Sequence, residues 1–276
     1  WIQQGFVLNQ TLALVRTLLP GAGEKEIAEI KRSLRAGMPA LTSENIPGMI
    51  PNILTGRIAN RFDLMGDNYI VDAACASSTV ALDHAVDHLL AGRCDVALAG
   101  GVQAWAPPQV YMAFCAIGVL SRTQEIRPFD RAADGTLPGE GGAVFVLRRR
   151  ADAEKEGHRI YCAVKAVGIS SNGRAKGLLS PRVEGEVLAL QRAYAAAAVE
   201  PRSVEFVETH GTGIPVGDAS EIESLRSVFG PRGRAPSCAI GAVKALIGHC
   251  IPASGAAGLV KAALALHHRV LPPSAG

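Results

Sequence analysis

Cys75 lies in Asp72-Ala73-Ala74-Cys75-Ala76-Ser77-Ser78, a run of small residues between a short apolar segment and a helical pattern. A cysteine at a strand-to-helix turn meets unsatisfied amides and the positive end of the helix dipole. Both favour the thiolate and lower the thiol pKa. Small neighbours let a substrate approach. A buried, unreactive cysteine is the competing reading, and it suits the other five, at 94, 115, 162, 238 and 250. His210 follows Val204 to Thr209 directly and precedes Gly211-Thr212-Gly213, where open α/β sheets place ligands at strand ends. His249 closes GAVKALIGH, again a strand running into a glycine-bearing loop, with Lys244 inside it. A histidine that merely bonds a loop carbonyl is the plainer alternative for either ring. One cysteine and two histidines, all at strand ends, point to covalent thioester chemistry.

Other candidates are weaker. His84 and His88 stand four residues apart beside Asp83 and Asp87. No Glu follows the first His, so this is better read as the solvated face of a helix than as a metal site. His267 and His268 end the last helical pattern, where cations complement the dipole. Gly139-Glu140-Gly141-Gly142 lacks the Lys-Ser/Thr of a phosphate loop and precedes a strand, which disfavours nucleotide binding. Arg148-Arg149-Arg150 reads as a solvated charge run.

Positioning these groups requires alternating elements. Helices are expected at 1–19, ending at Pro20-Gly21, at 24–35, and at 45–61 on Ile46, Ile50, Ile53, Leu54 and Ile58 despite Pro47 and Pro51. Tyr69-Ile70-Val71 is a strand candidate, and a helix follows Cys75 to about Ala91. Asp95 to Gly101 has a buried-strand pattern, and a helix follows near 108–117. A Gly/Pro/Asp-rich loop at 127–142 then precedes strand 143–147 and a charged helix at 150–157. Beyond Gly157 the order restarts: strand 160–169, helix 184–198, strand 204–208, helix 218–229, strand 238–243, helix 254–267. Such alternation predicts an α/β protein whose parallel strands are covered on both faces, in two halves, 1–157 carrying the nucleophile and 158–276 carrying the histidines.

Composition narrows the function classes. With 48% apolar and 19% charged residues, the 276-residue chain is a globular protein and not a disordered one. No uncharged apolar run reaches the ~18 residues of a membrane span. The formal net charge of +3, without a basic stripe, leaves no footprint for nucleic acid. No secretory n-region is present and no cysteines form a C-x-x-C pair, which implies a reducing cytoplasm.

VDAACASS around Cys75, VETHGTGIPVGDASEIE around His210 and GAVKALIGHCIPASGAAG around His249, in this order, resemble the signature blocks of β-ketoacyl synthases. PNILTGRIANRFDL, AGRCDVALAGGV and IRPFDRAADGTLPGEGG match as well, so the resemblance covers nearly the whole chain. FCAIGVLSRTQEIRPFD and GRAKGLLSPRVEGEVLALQRAY further resemble the iterative type I synthases of enediyne and polyunsaturated-fatty-acid pathways, close to polyketide synthases. The resemblance implies a thiolase-like αβαβα layered sandwich of two similar halves, incomplete here and normally homodimeric. It implies a decarboxylative Claisen condensation between an acyl thioester and malonyl-acyl carrier protein. Cys75 takes the acyl group, and His210 and His249 bond the malonyl thioester carbonyl. Lys244 and Glu221 match charged residues that orient the histidines, and Thr212 matches a threonine on the pantetheine arm. No cofactor or metal belongs to the domain itself, since substrates ride on the phosphopantetheine of an acyl carrier protein.

Two departures stand out. Ile214 occupies the place of a second pantetheine-contacting Thr in many members. The family's opening strand and its closing Gly-Phe-Gly-Gly-type loop, whose N–H completes an oxyanion hole with that of Cys75, have no counterpart here. Loss of one such donor costs ~10²–10³ in rate. The isolated chain is therefore expected to be inactive and unstable. A thiolase-type acyltransferase, a chain-length-factor-like partner and a non-catalytic fragment are the competing readings; the presence of Cys75 disfavours the second.

Overall fold

A computed structural model describes residues 2–37, 42–43, 48, 50–104, 108–177, 179–231 and 238–273, with side chains described from residue 8 onward. The chain divides into two compact units, Trp1–Ile70 and Val71–Gly276.

In the first unit α1 (Ile2–Leu18) ends where Pro20 cannot continue it, and α2 (Glu24–Ala36) starts two residues after Ala22. The Glu26 carboxylate accepts the Gly23 N–H at 2.9 Å and so closes the first turn of α2. Leu8, Leu12 and Ile27 form the buried contact between these helices, flanked by Val15, Ala22, Ile30 and Leu34. The third helix, α3, runs over Ile53–Phe62. It starts later than the periodicity predicts because Pro51 restricts Ile50 and occupies the entry turn, where the Ile53 N–H reaches Ile50 O at 2.9 Å. Ile46 and Pro47 lie outside the described residues.

The second unit carries α4 (Ser77–Leu90), β1 (Ala97–Gln103), α5 (Pro108–Ala116), β2 (Gly141–Leu147) and α6 (Arg150–Lys155). After these come α7 (Val183–Ala197), β3 (Phe206–Glu208), α8 (Pro215–Phe229), β4 (Ala239–Gly241), α9 (Lys244–Ile247) and α10 (Ser254–His268). β3 and β4 are parallel, in register from Phe206↔Ala239 to Glu208↔Gly241. β1 and β2 are antiparallel, from Ala97↔Leu147 to Gln103↔Gly141, which corrects the expectation of parallel strands throughout. The chain between them reverses through α5 and a loop instead of making a helical crossover. The face carrying Leu98, Val102, Val144 and Val146 is exposed, so β1 is not buried on both sides as its apolar run suggests.

Tyr69-Ile70-Val71 and 160–169 form no strand. Neither segment has a ladder partner among the described residues, and apolar β-branched content alone cannot make a strand. The arginine run is also not simply solvated. Arg149 donates to Leu89 O at 2.9 Å and Cys94 O at 2.8 Å and pairs with Asp95 and Asp152, tying the end of α4 to the start of α6. Arg148 pairs with Glu156 at 2.7 Å and Arg150 with Glu154 at 2.6 Å.

α4 packs on β1, and α10 packs on β1, β2, β3 and α4. The Ser78 hydroxyl accepts the Ala256 N–H at 3.0 Å and joins the first turns of α4 and α10. Two helix beginnings and the end of β3 thereby converge on one place.

Candidate active site

Cys75 sits in a 3₁₀ turn, Ala74–Ala76, that feeds α4. Ala74 adopts φ 50°, a left-handed conformation that costs an L-residue energy and turns the chain sharply before the cysteine. Three short bonds hold the bend: Asp72 accepts the Ala74 N–H at 3.0 Å, and the Ser77 hydroxyl accepts the Ala73 N–H at 2.9 Å while donating to Ala74 O at 2.7 Å.

His210 lies two residues beyond β3, and Thr209 continues the ladder by donating its N–H and its hydroxyl to Gly241 O at 2.8 and 2.7 Å. Glu221, within α8, accepts the backbone N–H of His210 at 2.6 Å and of Gly211 at 2.8 Å. The carboxylate thus acts on the loop that carries the ring. Asp218 accepts the N–H groups of Thr212 at 3.0 Å, Gly213 at 3.3 Å and Phe129 at 2.8 Å. Thr212 is buried, with its Oγ1 accepting the Ile214 N–H at 3.3 Å.

His249 is pinned on its other side. Its N–H donates to Leu137 O at 2.8 Å, and its carbonyl accepts the Gly139 N–H at 3.0 Å. A Cβ at Gly139 would stand 2.1 Å from Ile247 O, so only glycine permits this approach. The glycine-rich segment, which lacks the marks of a phosphate loop, is instead a support for His249.

These three elements bring the Cys75 Sγ to 3.1 Å from His249 Nε2. The His210 and His249 rings stand edge to face with centroids 5.4 Å apart. The sulfur and one ring nitrogen of each histidine fall within 4.8 Å of one another, close enough to address one thioester. A soft metal ion would find the same three atoms, but the Lys244 ammonium charges the same recess, and a dication is opposed by it.

Lys244 is buried, and burial lowers its pKa against the pull of Glu221, Cys75, Glu208 and Cys250. Burial raises the carboxyl of Glu221, against its two N–H donors. His249 is driven down to about 4 by burial and then by Lys244. His210, open to solvent on one side, moves the same way through the recess behind it, Lys244 and His249. The thiol of Cys75 is raised, not lowered. Burial outweighs the Lys244 charge and its own backbone N–H, which corrects the expectation drawn from the helix dipole. Both imidazoles are therefore neutral near pH 7, and the cysteine rests as a thiol.

His84, His88, His267 and His268 stay outside this cluster, on α4 and at the end of α10. Three contributors are not singled out by the sequence reading. Ser254, the first residue of α10, bonds His249 Nδ1 through its hydroxyl at 2.8 Å. Asp218 gathers the amides of two loops, and its place in the first turn after HGTG is the available signal. Glu208 accepts the Val243 N–H at 2.5 Å and pairs with half-buried Lys261 at 2.7 Å.

The family patterns "Beta-ketoacyl synthase, N-terminal domain" and "Beta-ketoacyl synthase, C-terminal domain" match residues 19–153 and 161–276, and so take in Cys75 and both histidines. The chain belongs to the beta-ketoacyl synthase family. As a ketosynthase it is 39% identical over 255 residues to a polyunsaturated fatty acid synthase polypeptide of Thraustochytrium, covering 91% of this chain and 9% of that protein. It is 42% identical over 229 residues to the polyketide synthase ThaG of Burkholderia thailandensis, covering 82% of this chain and 4% of that one. Among solved structures it resembles the ketosynthase from module 6 of the bacillaene synthase of Bacillus subtilis, with 36% identity and a TM-score of 0.78 over 81% of this chain and 40% of that one. An oxazolomycin ketosynthase domain from Streptomyces albus gives 32% identity and a TM-score of 0.81, covering 89% and 42%. The chain has their mixed α/β, thiolase-like fold, with both ketosynthase halves present. It spans less than half of those solved chains and a tenth or less of these two curated relatives. Among the described residues no helix is long and apolar enough to cross a membrane.

Proposed function

We propose that this ketosynthase catalyses the decarboxylative Claisen condensation of an acyl thioester with a malonyl thioester, both carried on the phosphopantetheine of an acyl carrier protein. The observation that carries the reading is the 3.1 Å contact between Cys75 Sγ and His249 Nε2, with His210 beside it. Neutral His249 donates its Nε2–H to the Cys75 sulfur, and the thiol proton passes to solvent as the sulfur attacks the acyl thioester. The tetrahedral adduct collapses, the carbon–sulfur bond to the carrier breaks, and the departing thiolate takes a proton from solvent. The acyl group is left on Cys75.

In the second half-reaction the Nε2–H groups of His210 and His249 donate to the malonyl thioester carbonyl. The bond to the carboxylate breaks, carbon dioxide leaves, and its electron pair becomes an enolate held by those donors. The enolate carbon attacks the Cys75 thioester and expels the Cys75 thiolate, which takes a proton from solvent to become the resting thiol again, giving a β-ketoacyl chain two carbons longer. Neutral imidazoles suit this step, because each donates a proton in a hydrogen bond without surrendering it. Glu221 and Lys244 hold and polarise the loops that carry the rings, and Thr212 meets the pantetheine arm.

The same reading makes 1–157 and 158–276 the two halves of an αβαβα sandwich that pairs as a homodimer. It places the protein in polyketide or polyunsaturated-fatty-acid elongation in the cytoplasm. The similarity to synthases of both kinds supports the pathway, and six free cysteines suit a reducing compartment. Intact-protein mass spectrometry after incubation with an acyl-carrier-protein thioester tests the central step. An acyl adduct on wild type that vanishes in Cys75→Ala is expected; an adduct that persists in Cys75→Ala overturns the proposal.

A further inference from the structure

Glu208 closes the apolar strand β3, and Lys261 interrupts an otherwise apolar stretch of α10, which packs on β3. Lys261 Nζ meets Glu208 Oε2 at 2.7 Å, and only 11% and 7% of the respective side-chain surfaces reach solvent. Two glycines clear the slot for this pair. A Cβ at Gly241 on β4 would stand 2.8 Å from Lys261 Nζ, and one at Gly258 on α10 would stand 3.1 Å from Glu208 Cγ. The Phe206 ring flanks the ammonium, with its centroid 5.7 Å away. A buried ion pair adds little stability over an apolar pair of the same shape, because desolvation offsets the attraction. Its place is better explained by what it holds. The other oxygen of Glu208 accepts the Val243 N–H at 2.5 Å, one residue before Lys244, and His210 follows Glu208 by two residues.

We propose that Glu208 and Lys261 are positioning residues for the condensation: Lys261 keeps the Glu208 carboxylate on the Val243 amide, which fixes the turn carrying Lys244 and leaves the Lys244 charge to the cysteine and the histidines. The inference rests on the condensing reading above and deepens it. Lys244 is pulled by two carboxylates, Glu221 and Glu208, and by Cys75 and Cys250. Glu221 is engaged by two amides, and Glu208 by Lys261. The two lysines and two carboxylates balance, and the field of Lys244 still reaches both imidazoles and opposes their protonation. Without Lys261, an unpaired carboxylate stands at the turn of Lys244 and offsets that field. The charged and titratable groups facing His249 are Cys75 before α4, His210 beyond β3 and Lys244 on α9.

The test uses the full chain with size-matched substitutions. In Lys261→Met the unpaired carboxylate should raise the NMR pH midpoint of His249, assigned by its disappearance in His249→Gln, from about 4 to about 5. Adding Glu208→Gln removes that carboxylate and should return the midpoint to its wild-type value. A midpoint that Lys261→Met leaves in place overturns the proposal, and so does one that the second substitution fails to restore. Damage to packing alone would not be reversed by a further substitution in the same slot. Two uncharged double variants test the hold on Val243, and they bury no stranded charge if Lys261→Met alone does not fold. Glu208→Gln with Lys261→Met keeps an oxygen for the Val243 N–H, whereas Glu208→Leu with Lys261→Met has none. Acylation of Cys75 by the carrier thioester, followed by mass spectrometry, should be about tenfold slower in the leucine variant than in the glutamine variant. Equal rates overturn the proposal. The midpoints are read without substrate, so they judge the pair even where wild type takes up no acyl group; an adduct that persists in Cys75→Ala counts instead against the condensing reading.

Discussion

Gly139→Ala should disable the site from behind, without touching any reacting atom. The loop around Gly139 lies against the chain of His249, giving its N–H to His249 O at 3.0 Å while Leu137 O accepts the His249 N–H at 2.8 Å. An added Cβ falls 2.1 Å from Ile247 O and 2.8 Å from two backbone atoms of Gly248. Ordinary heavy-atom contact is well above 3 Å, so one of the two segments must withdraw by about 1 Å. Both partners of the clash are backbone, which cannot rotate away as a flexible side chain would. Overpacking of this kind costs roughly 1–3 kcal/mol, and loosening the two hydrogen bonds adds about 1 kcal/mol, so a loss of about 2–4 kcal/mol is expected in denaturant unfolding. A displacement of that size at His249 predicts acylation of Cys75 slowed by about 10². Gly66→Ala, where a Cβ would meet nothing within 4 Å, is the control and should leave both quantities unchanged. A Gly139→Ala protein with wild-type unfolding and acylation within about twofold of wild type would refute the reasoning, since the loop would then have no part in placing His249.

Two further outcomes follow from the charges in the recess. His249 falls from 6.5 to about 4 on folding, so between those values the unfolded chain binds the proton that the folded chain refuses. Stability is complete above pH 6.5 and drains as pH falls toward 4, by about 3 kcal/mol from this ring alone. Urea midpoints measured across that range should fall in wild type and fall less in His249→Gln; a flat wild-type curve would mean that the ring is not held neutral. Lys244→Met removes the cation that lowers His249 and opposes the rise of Cys75. The NMR midpoint of His249 and the alkylation midpoint of Cys75 should both move up, and an unmoved pair would show that Lys244 carries no charge there.

What can be read from the chain depends on whether a group acts through its own chemistry or through its neighbours. Cys75, His210 and His249 stand out because few side chains do nucleophilic or proton-transfer work, and each stands beside small residues at the end of an element. Lys244 is noticed only as a lysine in the loop of His249, and its role, like Glu221 and Thr212 themselves, comes through the family resemblance; in the fold Glu221 grips the amides of His210 and Gly211, which no residue type announces. Gly139 and Ser254 escape notice for the same reason. Their partners are a carbonyl and a ring nitrogen that nothing in their local pattern describes. Local helical periodicity survives into the fold, whereas Tyr69–Val71 and 160–169 do not become strands, because a strand exists only in its ladder.

The thiol of Cys75 is the most instructive difference. The turn before α4 supplies the local field that the sequence implies, but the surrounding chain supplies burial, and burial wins. The recess that lifts the thiol is also the one that keeps His249 neutral, so the two shifts have a single cause. On the proposed condensation, the Nε2–H of His249 faces the sulfur across 3.1 Å, and the thiol proton leaves only as the thioester arrives and the new carbon–sulfur bond takes up the charge. The imidazole stays neutral through that transfer and keeps its Nε2–H for the malonyl carbonyl in the carbon–carbon step. Burial would thus keep Cys75 a resting thiol and the rings in the neutral state that the proposed decarboxylation requires.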